Sequence, residues 1–572
     1  MRKNKFIYIL SFAMILAGTA CKKQLQVGNP NAPTIAANVN SEAGLIAFTQ
    51  GSTYVDGFEN GEGWLGNTYF SLPYGYSELL ADMVGADAAN QQISVMSVPE
   101  LVTTEDGTQV QNANLQIPFF RTYNTRANTG AGANVYYYQW LSMYALNNAC
   151  NTVLSIVDNI KFSGDATTKA NTIKAWCYLW KGYAYASIGT MYYSGLVIDE
   201  YLGKSNNYLV HDSIIDRSNY YFNQASSVLS SGVPTTADYT AVLGGLIPTD
   251  FQGAAHGGIP TPSMWIRNIN TMLARNILLN KLNPFVNGVL NSTITKSTIT
   301  PMAAADWNAV LTYATNGIQN GDVVFSGLAA STNAVFTPLG GTVSALSTGT
   351  NTNTTFKVTE RFIQNFKSGD KRLTTNFVKY PQLVDNSGDT AYNYNNPNFG
   401  TRWNQVDRSL FNNLTNGVYV YGALTALDYE LYMAGSYEEN ALMLAEANIM
   451  LGNTDAGLAF VDAVRTYQGA GVAAVSGTGL TQTQAMAELI KERRVALAYR
   501  GTSFYDSRRW GWIYDIANGG GSYGNTFLAV SGKLYTNTTI NYNFLDYWDV
   551  PADESVLNPP GTGSAATVNP NF

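Results

Sequence analysis

Reactive side chains are scarce in this 572-residue chain, which holds three cysteines, two histidines and only 13% charged residues. Two imidazoles, His211 and His256, leave metal and catalytic-triad chemistry poorly supplied, and neither HExxH nor CxxC occurs. That argues against a metalloprotease. Basic residues are also in deficit, 33 Lys and Arg against 40 Asp and Glu for a net charge of -7. This balance disfavours nucleic acid as a partner, because its phosphates demand basic residues in excess. The plentiful residues are Asn, Thr, Ser, Gly and above all Tyr, with 37 copies. Such a surface hydrogen-bonds through neutral groups and offers aromatic faces, which suits sugars or peptides.

The first twenty residues read as a cleaved leader. Arg2, Lys3 and Lys5 form a basic start, Phe6 to Leu16 an apolar stretch, and Ala17-Gly18-Thr19-Ala20 a small-residue approach to Cys21. The apolar stretch is too short to span a bilayer, which takes about 20 residues. Cys21 stands where a bacterial lipobox places its acylated thiol, with Gly18 at a position usually held by a larger aliphatic residue. An ordinary secretory signal cut near Ala20 is the alternative. Removing residues 1–20 leaves 30 basic and 40 acidic residues, so the mature body is more acidic still. Cys150 and Cys177, each inside a predicted helix among apolar neighbours, read as buried free thiols; a bridge would need their Cα atoms within about 7 Å.

After a polar tether spanning residues 21–40, one helical domain over 41–572 is expected. Helical periodicity occurs at roughly 41–54, 75–84, 134–160, 167–193, 212–231, 262–282, 304–319, 429–452, 454–467 and 481–500. The clearest stripe, Ile173, Trp176, Trp180, Tyr183 and Ile188, recurs at three- and four-residue steps and predicts core packing. Short turns such as Phe162-Ser163-Gly164-Asp165 and Gly452-Asn453-Thr454 favour antiparallel helix pairs, with Gly452 closing one helix and Thr454 or Asp455 capping the next. Stretches at about 233–261, 330–356 and 380–425 are rich in Gly, Thr, Asn and Pro and read as irregular loops able to present a ligand surface.

The run Glu488-Leu489-Ile490-Lys491-Glu492-Arg493-Arg494 through Arg500-Gly501-Thr502-Ser503-Phe504-Tyr505-Asp506-Ser507-Arg508-Arg509-Trp510-Gly511 resembles the C-terminal signature of the SusD/RagB family. Further matches are Lys174 to Tyr185 with Gly189 to Tyr193, Ala441 to Asn448 with Val464-Arg465, and Tyr547 to Glu554 with Asn558-Pro559. Their order and separation make the set specific. Ala496 and Arg500 stand where the family commonly has Glu, so the ion pairs there must differ. The resemblance implies a mainly α fold, with tetratricopeptide-like helical pairs forming a scaffold, long irregular loop insertions and little β structure. It further implies a non-catalytic lipoprotein of the outer membrane, facing the cell exterior, that captures an oligosaccharide and delivers it to a SusC-like TonB-dependent transporter. The lipid on Cys21 would be its one covalent group, with no cofactor or metal; calcium has no support in the sequence.

Two clusters carry the aromatic and polar residues that sugar binding needs. One is Trp64, Asn67, Tyr69, Tyr74, Tyr76 and Asp82; the other is Tyr392, Tyr394, Arg402 and Trp403. A pyranose lays its C–H face on Trp or Tyr while Asn, Asp and Arg bond its hydroxyls. The charged set Glu492, Arg493, Asp506, Arg508 and Arg509 reads instead as a fastening for the last helix, since Arg clamps a carboxylate with two hydrogen bonds. Peptide cargo in the same role, a two-carboxylate glycoside hydrolase and a helical scaffold without small ligand stay open as alternatives.

Overall fold

The protein is described by a computed structural model over residues 39–57, 76–86, 98–112, 115–126, 134–253, 256–282, 302–329, 356–379, 400–405, 429–529 and 531–572. The leader, Cys21, residues 22–38 of the tether, the 330–355 stretch and most of 380–425 lie outside these residues.

Helices begin where the chain supplies acceptors for their first amides. Asp165 caps Ala166–Met191 by accepting from the Thr168 N–H at 3.0 Å, with Gly164 in the left-handed turn before it (φ +63°). Thr261 caps Pro262–Asn280, whose first residue is the proline that a first turn tolerates. Thr481 and Gln484 close a reciprocal capping box on Gln482–Ala496. Ala166–Met191 packs between Val135–Ile156 and His211–Gly232, and Tyr437–Met450 pairs with Thr454–Tyr467 across the Gly452 turn. These antiparallel pairs are the expected mainly α scaffold.

The stripe of the 166–191 helix is core along its length. Trp176, Trp180 and Trp265 surround Phe325 with edge-on ring contacts at 5.7, 6.1 and 5.2 Å. Edge-to-face geometry places the positive rim of one ring on the negative face of another. Gly182 lets the 211–232 helix approach closely, since a Cβ there would fall 2.6 Å from the Phe222 ring. Cys150 and Cys177 are both free and buried.

Three local expectations are corrected. The periodic 429–452 segment is a strand, Tyr429–Tyr432, followed by the Tyr437–Met450 helix; the strand pairs with Ser326–Ala329. Gly435 at φ +101° breaks the backbone between them, and Ser436 starts the helix afresh. Neither Thr454 nor Asp455 caps the 454–467 helix, because Asn453 occupies that position without a side-chain hydrogen bond, although Gly452 is left-handed (φ +88°). Within 233–261 the chain forms the helix Ala237–Leu246, burying Tyr239, Val242, Leu243 and Leu246. Its Gly244-Gly245 pair disguises the pattern, and Gly245 is where Ile46 packs closest.

Short strands form small antiparallel sheets around this scaffold. The longest is the hairpin Ser522–Leu528 with Leu534–Asn541, which Leu101–Thr103 and Gln109–Gln111 extend. Among the described residues, no helix is long and apolar enough to cross a membrane.

Candidate functional site

Of the two predicted ligand clusters, Asp82 from one and Arg402 and Trp403 from the other lie at one sheet. Val84–Ala86, Phe356–Val358, Trp403–Gln405 and Phe377–Lys379 lie side by side in that order, with Val358 opposite both Val84 and Trp403. Positions 82 and 403 thus reach the same patch through the intervening 356–361 segment. Thr359 ties it down, accepting from the Phe362 N–H while its hydroxyl donates to the Asp82 carbonyl at 2.6 Å.

Asp82 is not a ligand-binding residue on this geometry. Its carboxylate accepts from Arg361 Nε and Nη2 at 2.5 and 2.9 Å and from the Tyr542 hydroxyl at 2.7 Å, and only 1% of its side chain is exposed. Arg402 reaches the surface more, yet its Nε and Nη2 donate to the two oxygens of Glu360 at 2.8 and 2.9 Å. Trp403 is half-buried beside that pair, packed partly on the core, and its indole N–H has no hydrogen-bond partner. The Lys379 ammonium stands 5.9 Å from its ring centroid. An aromatic face beside a neutralised Arg–Glu pair makes a surface on which a neutral polar ligand can stack.

Tyr76 opens the Tyr76–Leu80 helix. Trp64, Asn67, Tyr69, Tyr74, Tyr392 and Tyr394 lie outside the described residues. Glu360, Arg361 and Lys379 were not singled out from the sequence. The signal that could have found the first two is Thr359 followed by an acid and a base, a short capped turn whose side chains must leave in different directions.

The charged block forms a buried network. Asp506 accepts from Arg493 Nε and Nη2 at 3.0 and 3.1 Å and from Arg509 Nε at 2.7 Å, and Arg509 also clamps Glu446. Burial alone would raise the Asp506 carboxyl, but the two guanidiniums outweigh it and hold it below the usual range. Glu492 is likewise held low by Arg372 and Arg465 against its burial. Arg508 spends its donors on backbone carbonyls of Thr190, Leu279 and Asp546, between the Tyr505 and Tyr547 rings. At the position where the family commonly has Glu, Arg500 pairs with Glu438, whose carboxyl burial would raise but Arg500 draws down to about 2.

Gly520-Gly521-Ser522-Tyr523-Gly524 also spells GxSxG. Ser522 opens a strand and its Oγ lies 3.2 Å from Asn525 Oδ1, so the strand-to-helix elbow that exposes a nucleophile is not formed there.

Residues 303–560 match the SusD family model. No curated protein sequence matches the chain. Among solved structures, the chain is similar to a SusD superfamily protein from Parabacteroides distasonis, at 15% identity and a TM-score of 0.50, over 91% of this chain and 98% of that one. It is similar also to a SusD-like carbohydrate binding protein from Bacteroides vulgatus, at 15% identity and a TM-score of 0.46, over 89% and 92%. At 15% identity the likeness to the Parabacteroides distasonis protein is one of fold.

Proposed function

From the premise that this chain carries SusD-family sequence over residues 303–560, we propose that it is a lipid-anchored receptor that captures an oligosaccharide. It holds the glycan at the outer face of the outer membrane and delivers it to a SusC-like TonB-dependent transporter. Cleavage of the leader, residues 1–20, leaves Cys21 first, and acylation of Cys21 supplies the anchor; two or three acyl chains would hold the protein firmly, at about 0.8 kcal/mol per buried methylene.

The observation that carries the sugar reading is Trp403. Its half-buried ring offers a flat apolar face for a pyranose. A sugar docking on the face near Lys379 displaces that ammonium. Binding of this kind needs no proton transfer, and among the described residues the Asp82 and Glu360 carboxylates are each occupied by an arginine.

The test is calorimetric titration of the mature protein with a panel of oligosaccharides, beside a reducing-sugar assay. Binding without turnover, weakened at least about tenfold in Trp403→Ala, is expected. Release of reducing ends points to the hydrolase instead, and affinity unchanged by the substitution removes Trp403 from the site.

A further inference from the structure

Cys150 and Cys177 belong neither to the Trp403 sheet nor to the buried ion pairs, yet the fold brings them together. Cys150 lies on Val135–Ile156 and Cys177 on Ala166–Met191, the antiparallel pair at the centre of the scaffold, and they are 3% and 0% exposed. Their thiols are hydrogen-bonded to each other. The register of the two helices explains the meeting. Lys181, one turn beyond Cys177, donates across the interface to Asn147 Oδ1 at 2.9 Å and to Asn151 Oδ1, and Cys150 stands between those asparagines in the chain.

A metal would need further ligands. Among the described residues, no group of three or more His, Cys, Asp or Glu side chains is placed to hold one. Two inert core thiols, for their part, would need no charge beside them. Here the Lys181 side chain is buried with them at 0% exposure. Burial pushes its ammonium down to about 8, while Asp199 and the two cysteines draw it back up. Burial also pushes the Cys177 thiol well up, the Cys150 thiol adds to that, and Lys181 pulls the other way by favouring the thiolate. The thiolate is the form of cysteine that attacks a disulfide.

A disulfide brings its sulfurs to about 2.05 Å and its Cβ atoms to about 3.8 Å. Thiols already in hydrogen-bond contact have made most of that approach. Only 26 residues intervene (177 minus 150 minus 1), so the ring that a bond would close is local in the chain.

We infer that Cys150 and Cys177 are an oxidation site, at which a disulfide staples the 135–156 helix to the 166–191 helix. One cysteine thiolate attacks a disulfide oxidant and releases one thiol from it; the second cysteine then attacks the mixed disulfide and releases the other. The new S–S bond takes two electrons and two protons from the pair, and they leave as the two thiols of the reduced oxidant. Sulfurs this buried are out of reach in the finished fold. The bond therefore forms while the hairpin assembles, before the 42–57 and 211–232 helices cover it, and is afterwards shielded from reductant. The oxidising compartment rests on the proposed export of the chain; the meeting of the sulfurs does not.

Peptide mapping tests this on the native protein, extracted in detergent and denatured in iodoacetamide without reductant. A second sample is reduced in mild denaturant and returned to buffer with oxidised glutathione before the same treatment. Both should yield tryptic peptides 127–161 and 175–181 joined, two hydrogen masses below their sum, and separate after dithiothreitol. The linked protein should also melt at a higher temperature than the reduced one. Both cysteines alkylated in both samples overturns the inference, as does a bond between two chains. Equal melting of the linked and reduced forms denies the bond its role as a staple. A link in the glutathione sample alone upholds the site and counts instead against export to an oxidising compartment.

Discussion

Asp82 and Arg361 stand 279 residues apart in the chain and meet in a two-point ion pair, each side chain 1% exposed. Removing one partner of such a pair leaves a charge stranded in the interior, which costs about 3–5 kcal/mol. Asp82→Ala should therefore lower the midpoint of denaturant unfolding by that equivalent. Loss of glycan affinity with unchanged stability would return Asp82 to the list of ligand residues.

Gly182 and Phe222 set the spacing of the two central helices. A methyl at position 182 would lie 2.6 Å from the ring, and a packed aromatic in the core cannot swing away. Overpacking of this kind costs about 1–3 kcal/mol, more than the roughly 1 kcal/mol that alanine gains over glycine in a helix. Gly182→Ala should lower the melting temperature; an increase would show that the helices can separate freely.

Glu78 makes stability depend on pH. Burial pushes its carboxyl up to about 8, against the opposing pull of Ser503, the backbone amides and Arg494. The folded state thus binds this proton more tightly than the unfolded chain, where glutamate ionises near 4.3. Its contribution is complete at pH values below that and is lost as pH rises through 8. Unfolding free energy measured between about pH 5 and 8 should fall for the wild type relative to Glu78→Gln, which stays neutral. Parallel profiles for the two proteins would mean that the carboxyl is already ionised at pH 5.

Cys21 is expected to bear the anchor. Cys21→Ala should abolish incorporation of labelled palmitate and move the protein from the detergent phase to the aqueous phase on partitioning. Retention of both label and phase would place the lipid elsewhere.

Legibility in the sequence differed by the range of the interaction. The 166–191 helix was readable because its stripe repeats every three to four residues and Asp165 caps it locally. The 237–246 helix was hidden, because Gly244 and Gly245 lower helix propensity and only contact with Ile46 and Ile259 explains their presence. Trp403 could be named as an aromatic in a polar stretch. That Arg402 beside it answers Glu360, and that Asp82 is consumed by Arg361, could not be read, since nothing within a few residues of either marks its partner.

Periodicity, capping residues and the spacing of the Arg-rich block depend on neighbours along the chain, so the amino-acid order alone determined the helical class and the family resemblance. Which charged and aromatic groups face ligand and which face one another was decided only when segments hundreds of residues apart packed together. The physical reason is desolvation: a carboxylate buried against a guanidinium stays there, and the same carboxylate in water would be free to bind.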